Sequence, residues 1–482
     1  MSQEGTGSRV VDTVKGALGK GADSTVESLH RLRSGHKCIG ITGLSRSGKS
    51  TFITSLISQL INHEKSKLGA FSPWISKRIK AVKVHPLEDR SLSDFPYIDA
   101  IKSLTAEPPC WPDSTVDISG CLLEIKLLKK GPWPWEGSTK SVFLELRDYP
   151  GEWLLDLPLM EMSFSEWCSQ CAALFTKEPR ASLLGSLLKE LQQLDPLAPF
   201  DEETLNELKL KYVEFLKHCK YKTHALSLIQ PGRFLIPGEF AGDEALQFVP
   251  ILSCNARTRG QLENASANSY FKVLEKRYND YVNKVISPFY KKFFRPIDRQ
   301  VVLVDVINAL NGGPEYIADM QHALSNICDS FSYGNSSPIM KLFRPKIEKV
   351  IFAASKIDQV VAKDHDNVRQ LLSSVVRKAL EEAAYKGAEH KSEAIAAIRS
   401  SNEADLRGSF GLKGVDLDGA PIGYIHPVMP DHVPSTDEWQ PFIDWKIPLL
   451  RPPSGVRCDQ DQAIPHIRMD QVLQDLIGDM CS

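Results

Sequence analysis

No stretch of this 482-residue chain approaches the roughly 18 consecutive apolar residues that a membrane-spanning helix needs. The N-terminal segment MSQEGTGSRVVDTVKGALGKG also lacks the apolar centre of a secretory leader, so the chain is expected in the cytosol. Charge of one sign is not in excess: 58 Lys and Arg stand against 60 Asp and Glu, a net charge of −2. That balance gives no global basic field for nucleic acid, and no nucleic-acid partner is expected. The 10 cysteines are dispersed, which fits reduced thiols better than a disulfide framework. Cys168-Ser-Gln-Cys171 is the one CxxC, and without a second CxxC or a nearby His pair it cannot complete a zinc site. It lies in a helical-looking segment where i and i+3 share a face, so packing is its expected role. Internal repeats and long low-complexity tracts are absent as well.

What is present is enough apolar sequence to bury a substantial core over two to four domains. Residues 1–36 form an N-terminal extension with a weak amphipathic pattern at Val11, Val14, Leu18, Val26 and Leu29, suited to docking on the protein, touching a membrane surface or fraying. From Lys37 the pattern sharpens. Cys38-Ile-Gly-Ile41 reads as a buried strand, then come a glycine loop and Phe52, Ile53, Leu56, Ile57, Leu60 and Ile61 at helical spacing. After an irregular stretch, Leu123, Ile125 and Leu127 alternate with charged residues. Val142 to Leu146 follow a GPWPWEG turn, which predicts two strands paired as a hairpin. Apolar runs at 301–307, 350–354 and 394–398 are further strand candidates with helical patterns between them. Strands alternating with helices predict an α/β fold, a mainly parallel sheet covered by helices on both faces. Leucine and aromatic stripes between 153 and 295 interrupt the alternation and predict a helical insertion, packed on itself or on a partner. The expected division is therefore 37–152 and 296–407 for the two parts of one α/β domain, 153–295 for the insertion, and 408–482 for a short irregular C-terminal region with a terminal helix.

Three motifs carry chemistry. Gly43-Leu-Ser-Arg-Ser-Gly-Lys-Ser50 has the G-x-x-x-x-G-K-[S/T] spacing of a phosphate-binding loop. Backbone N–H groups from Ser45, Arg46, Ser47 and Gly48 through Thr51 would face the phosphates, Lys49 would reach the β and γ oxygens, and the Ser50 hydroxyl would ligate Mg2+. Asp148-Tyr-Pro-Gly151 follows a strand, where Asp148 can hold magnesium through water and Gly151 can bring a backbone N–H to a γ-phosphate. Ser355-Lys356-Ile357-Asp358 resembles the [N/T]-K-x-D box of GTP-binding proteins, in which the aspartate accepts from the guanine edge and the lysine stem covers the base. Against ATP that carboxylate would be left unpaired, which selects GTP and GDP. Ser355 departs from the usual Asn or Thr but keeps a hydroxyl. Thr115 is the best-placed candidate for a magnesium-covering switch residue, with Ser114 and Thr105 as rivals. Ile398-Arg399-Ser400 falls where a last loop would touch the base.

Taken in order, these boxes resemble the P-loop GTPases of the Ras-like superclass. GLSRSGKSTFITSLI, LRDYPGEWLLDLPL, VVLVDVINALNGG, ASKIDQV, AIAAIRSS and IPHIRMDQVLQDLIGD are similar to the YcjX-like family of bacterial P-loop nucleotide-binding proteins, from about residue 35 onward. The resemblance implies a Ras-like P-loop nucleotide domain with a helical insertion after Gly151, and a loose association with bacterial stress responses. It also implies a cytoplasmic protein, and peripheral contact with the inner membrane is compatible with it. One departure bears on mechanism: the position at which many Ras-like enzymes carry a water-orienting glutamine is Glu152. A carboxylate there adds repulsion beside a γ-phosphate unless a cation offsets it, so slow hydrolysis is expected, with Lys49, Glu152 and Arg46 as candidate catalytic residues. The leading expectation is a slow GTPase switch whose insertion binds an unidentified protein effector. Alternatives are an ATP-dependent small-molecule kinase or ligase, and a non-hydrolysing interaction protein that keeps its nucleotide as a structural cofactor.

Overall fold

The computed structural model describes residues 35–44, 46–87, 92–113, 117–129, 137–221, 224–330, 347–377, 379–381, 388–456 and 463–481. Most of the N-terminal extension therefore lies outside the described residues, as do Ser45, Ser114 and Thr115. No helix among the described residues is long and apolar enough to cross a membrane.

An eight-stranded sheet organises the molecule, built from β1 (His36–Gly43), β2 (Ile79–His85), β3 (Ser93–Asp94), β4 (Ser119–Leu128), β5 (Thr139–Asp148), β6 (Arg299–Val304), β7 (Lys349–Ala354) and β8 (Glu389–Ala394). Its order is β2-β4-β5-β1-β6-β7-β8, with the short β3 beside β4. β5, β1, β6, β7 and β8 run parallel. β4 pairs antiparallel to β5 through the expected hairpin, and β2 antiparallel to β4. Alternate residues of the central strands enter opposite cores. Ile39, Ile41, Val301, Leu303, Ile351 and Ala353 face one layer, while Cys38, Val302, Val304, Val350 and Phe352 face the other. Two buried faces explain why these segments read as unbroken apolar runs.

The first layer holds α1 (Lys49–Ile61) and the terminal helix α11 (Met469–Ile477), through Phe52, Leu56, Leu60, Val472, Leu473 and Leu476. Arg299 fastens the end of α11, with two 2.7 Å bonds to the Asp479 carboxylate and one to the Leu476 carbonyl. Burial pushes the Asp479 carboxyl up, but the hydrogen bonds and charges of Arg299 and Lys349 outweigh it and bring it to about 2. Arg299→Met is expected to lower stability by about 2 kcal/mol at neutral pH, read as a lower urea midpoint with an unchanged slope. An unchanged midpoint would mean α11 is held by its apolar face alone.

The opposite layer contains α8 (Val306–Gly312), α9 (Pro314–Ser330) and α10 (His365–Val375), continuous with the segment that follows Gly151. That segment is helical, as its stripes indicated: α3 (Gly151–Leu155), α4 (Phe164–Phe175), α5 (Ser186–Gln193), α6 (Glu202–Tyr221) and α7 (Tyr270–Tyr281). It packs on itself and on the sheet. Phe289 lies edge-on to Tyr149 at 5.9 Å and to Trp153 at 5.5 Å, all three within this one core. Cys168 and Cys171 are buried free thiols in this packing.

Two strand readings need correction. Of the run 394–398 only Ala394 is in a strand, as the last residue of β8, whose sequence EHKSEA carries no apolar run; residues 395–398 lie in the loop that follows. β8 is the last strand on its side of the sheet and largely solvated, so it gave no hydrophobic signal. Residues 306–307 begin α8 rather than continue β6, because Asp305 caps that helix by accepting from Asn308 N at 3.2 Å. After β8 the chain forms an antiparallel sheet of β9 (Asn402–Leu406), β10 (Ser409–Val415) and β11 (Pro421–Tyr424).

Candidate nucleotide site

Parallel strands place their C-terminal ends along one edge, where ligands of open α/β sheets bind. β1 delivers the phosphate loop to that edge. Register pairing of Ile41 with Asp148 sets the end of β5 beside it. β7 delivers Ser355–Asp358, and Ile357 N donates to Ile395 O at 3.1 Å, tying this turn to the loop after β8. Three motifs spread over residues 43–358 therefore meet along one edge.

In the phosphate loop Gly48 has φ 79°, a left-handed conformation that glycine adopts without strain, and it leads directly into α1. Ser47 is buried against Gly43, where a Cβ would lie 2.0 Å from the Ser47 Oγ. Lys49 Nζ donates to Asp148 Oδ1, and Asp148 is 1% exposed. Ser50 and Thr51 occupy the first turn of α1, the positive end of its dipole. Gly151 packs against the loop so closely that a Cβ there would lie 2.0 Å from the Gly43 carbonyl oxygen. The donor set suits Mg2+, which needs few protein ligands and takes the rest from phosphates and water. Ser50 and Asp148 supply hard oxygens, and Lys49 supplies the neutralising charge for buried Asp148.

At the other end Asp358 is buried, and its Oδ2 accepts Ser400 N at 2.8 Å. Burial pushes its carboxyl up to about 6, against the opposing hydrogen bond from Ser400 and the nearby charges of Lys356 and Arg399. Lys356, at φ 60°, extends its ammonium to Asp305 Oδ2 at 2.6 Å. Ser355 is buried and donates through its backbone to Val304 O. Ile398 is buried with Leu104, Val456 and Ile464, and Arg399 N donates to Pro465 O at 2.7 Å. The hydrogen bonds from this last loop to Asp358 thus come from Ser400 N and from the Ser401 hydroxyl, which donates to the Asp358 carbonyl oxygen, rather than from Ile398 or Arg399. Ser400 also buries a hydroxyl with no hydrogen-bond partner. A cavity of about 1300 Å3 opens beside Ser400 towards Leu104, Lys413 and Arg451, away from the phosphate loop.

Arg46, φ 61° and exposed, turns its guanidinium to Tyr221 O at 2.9 Å, the C-terminal end of α6. Glu152 is 7% exposed and pairs with Lys220 Nζ at 2.6 Å. Behind them, Asp156 accepts Gly232 N on both oxygens at 2.9 Å, Arg233 N at 3.3 Å and the Tyr281 hydroxyl at 2.5 Å. The Arg233 guanidinium stacks on Trp153, 3.1 Å from the ring centre. α3, which follows the D-x-x-G box, is thereby held on its outer side by residues of the insertion. Asp305 and Lys220 were not among the sequence-derived site residues. Asp305 ends the apolar strand of VVLVDV and had a local signal, whereas Lys220 lies in a polar helix with none.

The family described as YcjX-like family, DUF463 matches residues 38–481. A protein of Escherichia coli (strain K12) named Ras-like GTPase YcjX is 36% identical over 454 residues, covering 92% of this chain and 96% of that one. Its namesake from Shewanella oneidensis is 35% identical over 470 residues, with 94% and 96% covered. With the phosphate loop, the D-x-x-G box and the S-K-I-D turn on one edge of an α/β P-loop sheet, and similarity along nearly its whole length, the chain belongs to the YcjX-like family.

Proposed function

We propose that this protein binds GDP and GTP with Mg2+ and hydrolyses GTP slowly. It acts as a nucleotide-dependent switch whose output is carried to a protein effector by the helical insertion at 153–295. The observation that carries this reading is the meeting of Lys49, Asp148 and Gly151 with Asp358 and Ser400 along one edge of the sheet. The printed name of the two relatives supports the guanine preference and the hydrolytic activity. Ser50 and, through water, Asp148 would hold magnesium, whose charge would offset that of the phosphates. Lys49 would cradle the β and γ oxygens, and Gly151 would present its N–H to the γ-phosphate. Asp358 would accept both donors of the guanine edge. A role in a bacterial stress pathway is what the family resemblance implies.

The test is a titration of labelled GDP, GTP and ATP with Mg2+. Guanine nucleotides are expected to bind about 100-fold or more tighter than ATP, since a buried carboxylate left unpaired excludes adenine. Equal binding would sink the guanine reading. The pH dependence follows from Asp358, which must be ionised to accept guanine donors. With its carboxyl at about 6 in the free protein, GDP affinity should be level above pH 7 and fall about tenfold per unit well below pH 6.

A further inference from the structure

A carboxylate at position 152, beside a γ-phosphate, is a liability unless something cancels its charge. The structure supplies that something from the middle of the insertion, at the end of α6. Lys220, in the last turn of α6, lies buried with its ammonium 2.6 Å from Glu152 Oε1. The next residue, Tyr221, gives its carbonyl to Arg46 of the phosphate loop. One helix end thus touches both candidate parts of the γ-phosphate side. Cations are favoured at a helix C-terminus, so Lys220 and Arg46 are each stabilised where they stand.

We propose that Lys220 is a positioning residue for GTP hydrolysis: it neutralises and orients Glu152, so that the insertion carries its own activating element into the nucleotide site. This rests on the GTPase reading above. An ion pair that merely fastened the insertion would need no place next to Gly151. Here Gly151 touches Gly43 of the phosphate loop on one side and Glu152 follows immediately, against Gly232 of the insertion, where a Cβ would lie 2.3 Å from the Glu152 carbonyl oxygen. Glu152 has little freedom of backbone position, and Lys220 fixes its charge.

Phosphate release in single-turnover hydrolysis and GDP affinity, both measured on the full chain, test this. Lys220→Ala is expected to slow hydrolysis about 30-fold with GDP affinity changed by less than about threefold, and Lys220→Arg to stay within about threefold of wild type. In a Glu152→Gln background the charge to be cancelled is gone, so adding Lys220→Ala should cost less than about threefold. A Lys220→Ala rate equal to wild type overturns the proposal and leaves the GTPase reading standing. The same 30-fold loss in the Glu152→Gln background also overturns it, because Lys220 would then act by holding the fold. No guanine binding and no phosphate release by the wild type would overturn both.

Discussion

Asp358→Ala should weaken GDP binding about a thousandfold while leaving ATP within about threefold, the loss of two charge-assisted hydrogen bonds worth about 4 kcal/mol. The carboxylate is buried before any ligand arrives, and Ser400 N holds one oxygen in place at 2.8 Å. Little ordering remains to be done when guanine enters, so the bonds count nearly in full. Asp358→Asn separates recognition from folding. It can still accept from Ser400 N, but its NH2 group would confront the guanine donors, so it should fold normally and still lose GDP. Isothermal titration of both nucleotides against both variants decides the matter. A loss of equal size for ATP would mean that the turn had collapsed and that Asp358 does not read the base.

Asp156→Ala should cost about 4 kcal/mol of stability, the largest single loss expected outside the nucleotide contacts. It strands three buried donors at once, Gly232 N, Arg233 N and the Tyr281 hydroxyl. Burial pushes the Asp156 carboxyl up to about 7 in spite of those donors and the nearby Arg233 charge. The sign follows from linkage: a carboxyl raised in the folded state gives a contribution that is complete below the ordinary range near pH 4 and declines as pH rises towards 7. Urea midpoints across pH 4 to 8 measure both effects. The wild type should lose stability over that interval, and the Asp156→Asn variant should lack that decline. A parallel decline in both would assign it to other groups.

The parts of the site legible in the sequence are those whose signal is local. The phosphate loop, Asp148–Gly151 and Ser355–Asp358 each follow an apolar strand, and strand ends on a parallel sheet are forced to one edge. What escaped was everything that depends on a partner from elsewhere. Lys220 meets Glu152 across 68 positions, and nothing in KHCKY marks it. Ser400 was legible only as part of a loop, because a backbone N–H has no residue signature. β8 failed for a different reason: as the last strand on its side of the sheet it lacks the second buried face that makes β6 and β7 conspicuous. The helices between Phe164 and Tyr281 were recognisable from their stripes, but the grip of this segment on α3 was not, because Asp156 and Gly232 are joined by carboxylate-to-backbone bonds.

The place of α11 has a consequence for how the molecule comes into being. Among the described residues β1 comes first and α11 last, yet both contribute to one apolar layer. Until Met469–Ile477 has been made, the part of that layer beside β7 lacks its cover. Contacts so distant along the chain are slow to form, and an uncovered face invites association with other chains. A product truncated before α11 is therefore expected to leave part of that apolar layer uncovered and to associate with other chains more readily than the full-length one.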